Sequence, residues 1–341
     1  MTKDRIVFFT SGDFATETFK SLIENEYNVV GLVTTASDDI NSPASIASEY
    51  GIPTYTIKNG IPMEKDDFFI DWLRRAKGDL FCVISFKKLP KEIYTMAKKC
   101  AFNVHASLLP FLRGAAPINW AIRLGYKETG LTAFVLNDDI DCGDIIANVK
   151  ITINKDEKYT SLKKRMSELC IDFTKHVIND NLQREDWEIY LLSQGVKSDN
   201  DFVSRAYKID HYYFNTLYFN VISSYEVKRY IDSVDTIGIP LTFSFVDKYG
   251  DLKTKLKVKI YDVTIGENID KPLYEYEFDF DEKVKVETDK KTYLKVIMLD
   301  GTTFYINKIQ REGKKIMDVA SFLNGCRMFE KYNDCDINVT F

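Results

Sequence analysis

Over its first 195 residues or so the chain alternates short, apolar, β-rich runs with amphipathic stretches, and few folds accommodate that order. Strands separated by helices pair in parallel and bury both faces under the helices, so the pattern predicts a mostly parallel α/β sheet. Arg5 to Phe9 reads as a buried strand, with Asp13 placed to cap a helix on which Phe14, Thr18, Leu22 and Ile23 recur at helical spacing. Asn28 to Val33 and Leu80 to Ser85 read as further buried strands, and Ala44 to Tyr50 and Asp66 to Ala76 as helices. Phe102 to His105 is a short strand running into a loop. Pro117 to Leu124 is predicted helical, Leu131 to Leu136 and Ile145 to Ile153 extended, and Ser161 to Ile178 an amphipathic helix closing the unit.

Beyond about Gln194 the period changes. Alternating runs at Leu241 to Val246, Leu256 to Val263, Lys283 to Glu287, Tyr293 to Leu299 and Thr303 to Ile309, with turn signals at Tyr249-Gly250-Asp251 and Asp300-Gly301, predict a small β-barrel. Ser224 to Ser233 is predicted helical. Two domains follow, residues 1–195 and 205–330. A chain of 341 residues that is 45% apolar has core enough to need no staples. Cys82, Cys100, Cys142, Cys170, Cys326 and Cys335 agree, standing singly with no CxxC pair and no zinc-like spacing. They read as reduced, buried thiols of a cytoplasmic protein, with no metal site among them. The apolar run at the N-terminus is too short for a signal-peptide core or a membrane span, so no membrane partner is expected. A net charge of -5 does not mark the chain as a polyanion binder.

The segment richest in chemistry is Asn103 to Ile122, NVHASLLPFLRGAAPINWAI, followed by DDIDCGDII from Asp138 to Ile146. Asn103 and His105 are two apart at a strand end and so face one side of the sheet. Ligands of α/β sheets bind beyond the carboxyl ends of the strands. Asp141, just past the run Leu131 to Leu136, reaches the same mouth if that strand is a parallel neighbour. An amide, an imidazole and a carboxylate suit acyl transfer without a covalent nucleophile. Asn103 and a protonated His105 would stabilise an oxyanion, while Asp141 would favour the imidazolium and accept the amine proton, directly or through water. Taken alone, an N-x-H at a strand end is a weak signal. Pro110, Pro117 and Arg113-Gly114 equally suit a loop-shaping role, and Asp138, Asp139, Asp141 and Asp144 a solvated turn. The acidic turn lacks the ligand spacing and closing Glu of an EF-hand, and His176 and His211 read as structural.

Together these segments resemble the 10-formyltetrahydrofolate-dependent formyltransferases, most closely those acting on methionyl-tRNA. That family has a strand-end N-x-H, the run SLLPxxRGAAPI and an Asp in a D-x-G-D turn, matched here by Asn103 and His105, Ser107 to Ile118, and Asp141 to Asp144. The opening RIVFFTSGDFATETFKSL is similar to the family's first strand and helix, although Ser11-Gly12 stands where Thr-Pro usually precedes Asp-Phe. KIQREGKKIMDVASFLNG, Lys308 to Gly325, is similar to its terminal signature. The resemblance implies a Rossmann-like formyltransferase domain followed by an OB-like barrel, with 10-formyltetrahydrofolate as formyl donor and no metal. It assigns catalysis to Asn103, His105 and Asp141. It assigns the folate site to Ser107, Leu108, Leu109 and Pro110, with Ser85, Phe86 and Leu89 of the Ile84 to Leu89 loop gripping the pterin.

For the acceptor the resemblance implies the methionyl amine of initiator tRNA. The tRNA-acting members carry a basic, Gly-rich insertion of the type PAGRGKK where this chain reads TTASDDINSPAS, Thr34 to Ser45, shorter and with no Lys or Arg. From Val196 to Phe341 there are 22 Lys plus Arg against 24 Asp plus Glu, a net of -2. Lys253, Lys255, Lys257 and Lys259 share one face of a strand, suiting either a patch for phosphates or, more readily, a solvated edge that deters aggregation. Lys308, Arg311, Lys314 and Lys315 would extend a basic face if the two groups meet. An amino-sugar nucleotide is the alternative acceptor, because sugar N-formyltransferases share the catalytic half and lack the basic loop. A non-catalytic folate-binding relative is the third reading, opposed by the intact trio.

Overall fold

The computed structural model describes residues 3–35, 42–195, 205–209, 223–267 and 284–340. His211 and residues 36–41 of the Thr34 to Ser45 segment lie outside them. The chain forms two compact units. The first comprises Met1–Ala121, Lys127–Ile153 and Ser161–Tyr207; the second takes Ile122–Tyr126, Asn154–Thr160 and Lys208–Phe341. Two short pieces of the first half of the sequence therefore belong to the second unit.

The first unit is built on a seven-stranded sheet in the order β3-β2-β1-β4-β5-β7-β8. Its strands are β1 (Ile6–Thr10), β2 (Val29–Thr34), β3 (Thr54–Thr56), β4 (Leu80–Ile84), β5 (Cys100–His105), β7 (Glu128–Val135) and β8 (Ile145–Thr152). Every residue of β1 and β4 is buried, which explains why these strands are continuously apolar rather than alternating. On one face Val7, Phe9, Val33, Phe81 and Val83 pack against Phe69 and Leu73 of the helix Asp67–Ala76. Asp66 caps that helix, accepting from the Phe69 amide at 3.3 Å, and also accepts from the Tyr55 hydroxyl at 2.7 Å.

Two expectations are corrected here. β5 pairs with β7 antiparallel, Phe102 opposite Val135 and His105 opposite Thr132, and β7 pairs antiparallel with β8. Asp141 is not delivered by a parallel strand end; the loop between β7 and β8 has to fold back to bring it to His105. Nor does Asp13 cap the first helix, Thr16–Glu24, whose N-cap is Ala15 without a side-chain bond. The Asp13 carboxylate instead meets the Lys163 ammonium at 2.6 and 2.7 Å. A cap needs only local geometry, but a cation 150 residues away in sequence competes for the same oxygens.

The second unit is a closed, six-stranded antiparallel barrel in the order β11-β10-β16-β12-β13-β14, sealed by pairing of β11 with β14. Its strands are β10 (Ile239–Val246), β11 (Leu252–Ile265), β12 (Val284–Thr288), β13 (Leu294–Ile297), β14 (Thr303–Arg311) and β16 (Asp336–Thr340), with the two-residue β15 (Met317–Asp318) pairing antiparallel to β14 beside them. Phe243, Phe245, Phe304 and Phe329 are fully buried inside it. The helix Ser224–Ser233 begins with a capping box in which Ser223 and Glu226 bond each other's backbone. The solvated-edge expectation for the lysine strand holds for only part of β11. Residues 252–260 pair with β10, and from Val258 onward the strand also pairs with β14, so Lys259 lies between two partners. Among the described residues no helix is long and apolar enough to cross a membrane.

Candidate active site

β5 ends at the carboxyl side of the sheet, and its alternation sets Asn103 and His105 on one face while Phe102 and Val104 turn into the core. His105 is buried, and its Nε2 lies 2.9 Å from the Leu112 carbonyl oxygen. A carbonyl only accepts, so Nε2 carries the hydrogen and Nδ1 is left to face Asp141 Oδ2 at 3.7 Å. An imidazolium satisfies both neighbours at once, donating to Leu112 and pointing positive charge at the carboxylate. The Asn103 side-chain amide bonds no described residue, and is therefore available to something that enters the mouth.

Asp141 is held more tightly than the sequence suggests. Its Oδ2 accepts from the Gly114 amide at 2.8 Å, and its own carbonyl accepts from the Gln194 side-chain amide at 3.0 Å. Gln194 also donates to the Gly143 carbonyl at 2.8 Å and accepts from Arg113 Nε at 3.0 Å. Asp141 has φ 55°, a left-handed conformation that is strained for a residue other than Gly, so these bonds fix a backbone that would otherwise relax. Further back the same loop is anchored at Asp138, which accepts from the Tyr94 hydroxyl at 2.8 Å and pairs with Lys91 at 3.7 Å. Burial and this carboxylate push the Tyr94 phenol up to about 12. The acidic turn is thus a tethered loop rather than a purely solvated one.

Two glycines make the approach possible. A Cβ on Gly143 would stand 1.6 Å from the Val135 carbonyl oxygen, and one on Gly114 would stand 2.5 Å from the Ala206 carbonyl oxygen. Gly114 also has φ 119°, outside the range of other residues. Arg113–Gly114, strand β6, pairs in parallel with Arg205–Ala206, strand β9. The RGAAP run is therefore both a donor to Asp141 and a strand partner for a segment near residue 206. Gln194 and this pairing were not legible in sequence, since neither carries a motif.

The residues assigned to folate are close by but unequal in exposure. Ser107 is buried and its hydroxyl donates to the Phe111 carbonyl at 2.6 Å, while Leu109 packs with Phe134 and Ile145. The peptide bond between Leu109 and Pro110 is cis. The Ser107 carbonyl accepts from Thr132 Oγ1 at 2.7 Å, and that oxygen accepts from the Leu109 amide at 3.1 Å, binding the SLLP turn to β7. Leu89 joins the sheet core, whereas Leu108, Pro110, Ser85 and Phe86 keep exposed surface. Four of the cysteines are buried; Cys142 and Cys335 are partly exposed. Burial pushes the Cys142 thiol up, against the opposing Arg113 guanidinium.

Comparison with known proteins gives the family and the fold. The family model described as Formyl transferase matches residues 4–177, about half of the chain. The chain belongs to the formyl transferase family, and it is a 10-formyltetrahydrofolate-dependent formyltransferase. A methionyl-tRNA formyltransferase of Flavobacterium johnsoniae is 31% identical over 334 residues, covering 95% of this chain and 97% of that one. Another, of Parabacteroides distasonis, is 29% identical over 340 residues, covering 96% and 97%. Among solved structures, the sugar 3N-formyl transferase WlaRD superposes with a TM-score of 0.58 at 15% identity, over 92% of this chain and all of that one. At that identity the likeness shows a shared fold.

Proposed function

We propose that the enzyme formylates the α-amine of methionyl initiator tRNA in the cytoplasm, with Asn103, His105 and Asp141 as the catalytic residues. The donor supplies a formyl carbon carried on a folate nitrogen. The free Asn103 amide fits that group, because it can donate to the formyl oxygen as negative charge develops there. His105, committed to Leu112 through Nε2, contributes through the positive charge of its ring. Asp141, kept in place by Gly114 and Gln194, is the base that takes the amine proton, directly or through a water, as the new C–N bond forms; the bond from the formyl carbon to the folate nitrogen then breaks and the proton passes to that nitrogen, releasing tetrahydrofolate. Leu108, Pro110 and Phe86 offer apolar surface to the folate ring, with Ser85 beside them.

The observation that carries the acceptor is a basic face on the barrel. Lys255, Lys257 and Lys259 stand out from β11 between the buried Leu256, Val258 and Ile260. The register puts Val258 opposite Arg311 and Lys259 opposite Gln310, so the turn bearing Lys314 and Lys315 starts where the lysine row passes β14. Lys308 lies on the same strand. Among the described residues none of Lys255, Lys257, Lys259, Lys308, Arg311, Lys314 and Lys315 has an acidic partner, whereas Lys253 is neutralised by Asp247 at 2.6 Å. Lys308 is flanked across the strands by Asp262 and Asp318, so the charge of this face rests on the β11 lysines and on the turn after β14, and a run of cations without acidic partners on an acidic protein has a polyanion as its natural ligand. The full-length similarity to methionyl-tRNA formyltransferases supports the same acceptor. Formylation of a nucleotide-linked amino sugar is the second reading, favoured by the lack of Lys or Arg in Thr34 to Ser45. The test is tetrahydrofolate release from 10-formyltetrahydrofolate in the presence of either charged initiator tRNA or amino-sugar nucleotides. Release with the tRNA is expected, and release with the sugar alone would overturn the reading.

A further inference from the structure

Beside the catalytic loops lies an aromatic pair that the mechanism does not use. Trp120 sits on the helix Pro117–Arg123, half-buried, and its indole N–H donates to the Tyr207 carbonyl at 2.9 Å. Tyr207 is 63% exposed, and its ring stands edge-on to the indole, centroids 6.0 Å apart at 67°. Single exposed aromatics are ordinary. These two, however, are brought together from positions 87 residues apart by the β6–β9 pairing, and that pairing is part of the site. Gly114 donates to Asp141, and the next two amides, Ala115 and Ala116, both donate to the Ala206 carbonyl at 2.8 and 3.4 Å. From Asp141 to Tyr207 the path is therefore one hydrogen-bonded strand segment.

Arg205 adds charge of the right sign. It and Tyr207 flank the buried Ala206, so both emerge on the exposed side of the segment. The Arg205 guanidinium is close enough to act on the Cys142 thiol, the immediate neighbour of Asp141. An exposed aromatic face with a guanidinium beside it is the recurrent chemistry for a stacked base and its phosphate. In an aminoacyl-tRNA the reacting amine is only an ester linkage away from the 3′-terminal nucleotide. An amine held against Asp141 brings that nucleotide to this side of the site.

We propose that Tyr207 and Trp120, with Arg205, form the platform on which the 3′-terminal nucleotide of the acceptor tRNA stacks, an assignment that rests on the tRNA reading above. Two measurements test it. Titration of tryptophan emission with AMP should show quenching that ribose 5-phosphate, lacking the base, does not give. Tyr207→Ala should shift the AMP midpoint about tenfold, within the range of one stacking contact, and Tyr207→Phe should restore it. With methionyl-tRNA, KM should rise about tenfold in Tyr207→Ala and in Arg205→Ala, more than kcat falls. Tyr207 is exposed, so its removal leaves the fold intact. An unchanged AMP midpoint and KM in Tyr207→Ala, with tRNA still formylated, would overturn the platform alone. Formylation of an amino-sugar nucleotide and not of tRNA would overturn the occupant together with the reading it rests on.

Discussion

The loops that meet at Asp141 and the lysine row of β11 are both polar surfaces carried by strands, yet they are made in opposite ways. Around Asp141 each contact is single and without a substitute: one amide from Gly114, one side chain from Gln194, one glycine at 143 that lets the loop pass Val135. On β11 the same element is repeated, a lysine at every second position, continued by the turn after β14. A reacting centre has to fix one geometry, because misplacement by an ångström costs orders of magnitude in rate. A face for a polyanion only has to supply charge, and its members are interchangeable.

The difference can be broken by experiment. Asn103→Ala or Asp141→Ala should lower turnover by about 100-fold or more, the scale of one oxyanion donor or one general base. Near-normal single-turnover rates in both would refute the assigned roles. Gly143→Ala should destabilise the first unit by about 3 kcal/mol through overpacking and cut turnover about 100-fold by displacing Asp141. Thermal unfolding read beside activity separates the two effects, and a variant with wild-type melting and rate would show that the loop is not as constrained as its contacts imply. Replacing Lys255, Lys257, Lys314 and Lys315 together with Gln should weaken tRNA binding tens of fold and reduce the slope of log affinity against log salt by about 3. Each lysine alone should matter less than about threefold; one that abolished binding would make the barrel face as particular as the catalytic loops.

A scaffold position with little bearing on turnover calibrates these effects. The Tyr55 hydroxyl, opposed by burial and helped by the Phe69 amide, holds the Asp66 carboxyl below its ordinary 3.8. Asp66→Ala should cost about 1–2 kcal/mol of stability near neutral pH through loss of the cap and its hydrogen bonds. A depressed folded-state pKa contributes fully above the unfolded value and is lost as pH falls through the folded one. Denaturant midpoints of wild type and variant should therefore converge in acid; a constant gap would mean the carboxylate charge is irrelevant there.

Much of this was legible from residues. The buried strands at Ile6 and Leu80 announce themselves as continuous apolar runs, the strand read from Phe102 to His105 begins two residues earlier at Cys100, and the helix Ser224–Ser233 coincides with the range expected from its periodicity. Asn103, His105 and Asp141 were visible through their motif, and the structure places His105 and Asp141 within 3.7 Å. What escaped is whatever depends on distant partners. Strand direction leaves no mark on a run such as Leu131 to Leu136, since buried parallel and antiparallel strands are equally apolar. Thr54–Thr56 is too short to show a period, and Asp13 resembles a cap because Lys163 cannot be seen from it. Gln194 is an ordinary polar residue until Arg113 and the Asp141 loop converge on it. The two basic groups were recognised separately, and the register of β11 with β14 sets Lys259 opposite Gln310, where the turn bearing Lys314 and Lys315 begins.

The position of β16 has a consequence in time. Synthesis runs from the N-terminal side, and every strand of the seven-stranded sheet precedes the barrel, the last of them ending at Thr152. The barrel has no such head start, because β16, Asp336–Thr340, is inserted between β10 and β12. Until β16 emerges, β10 and β12 expose unpaired backbone, the kind of edge that recruits other chains. The first sheet is thus free to assemble during synthesis, while the barrel waits for its keystone, and chains truncated ahead of β16 should aggregate rather than survive as a merely shortened enzyme.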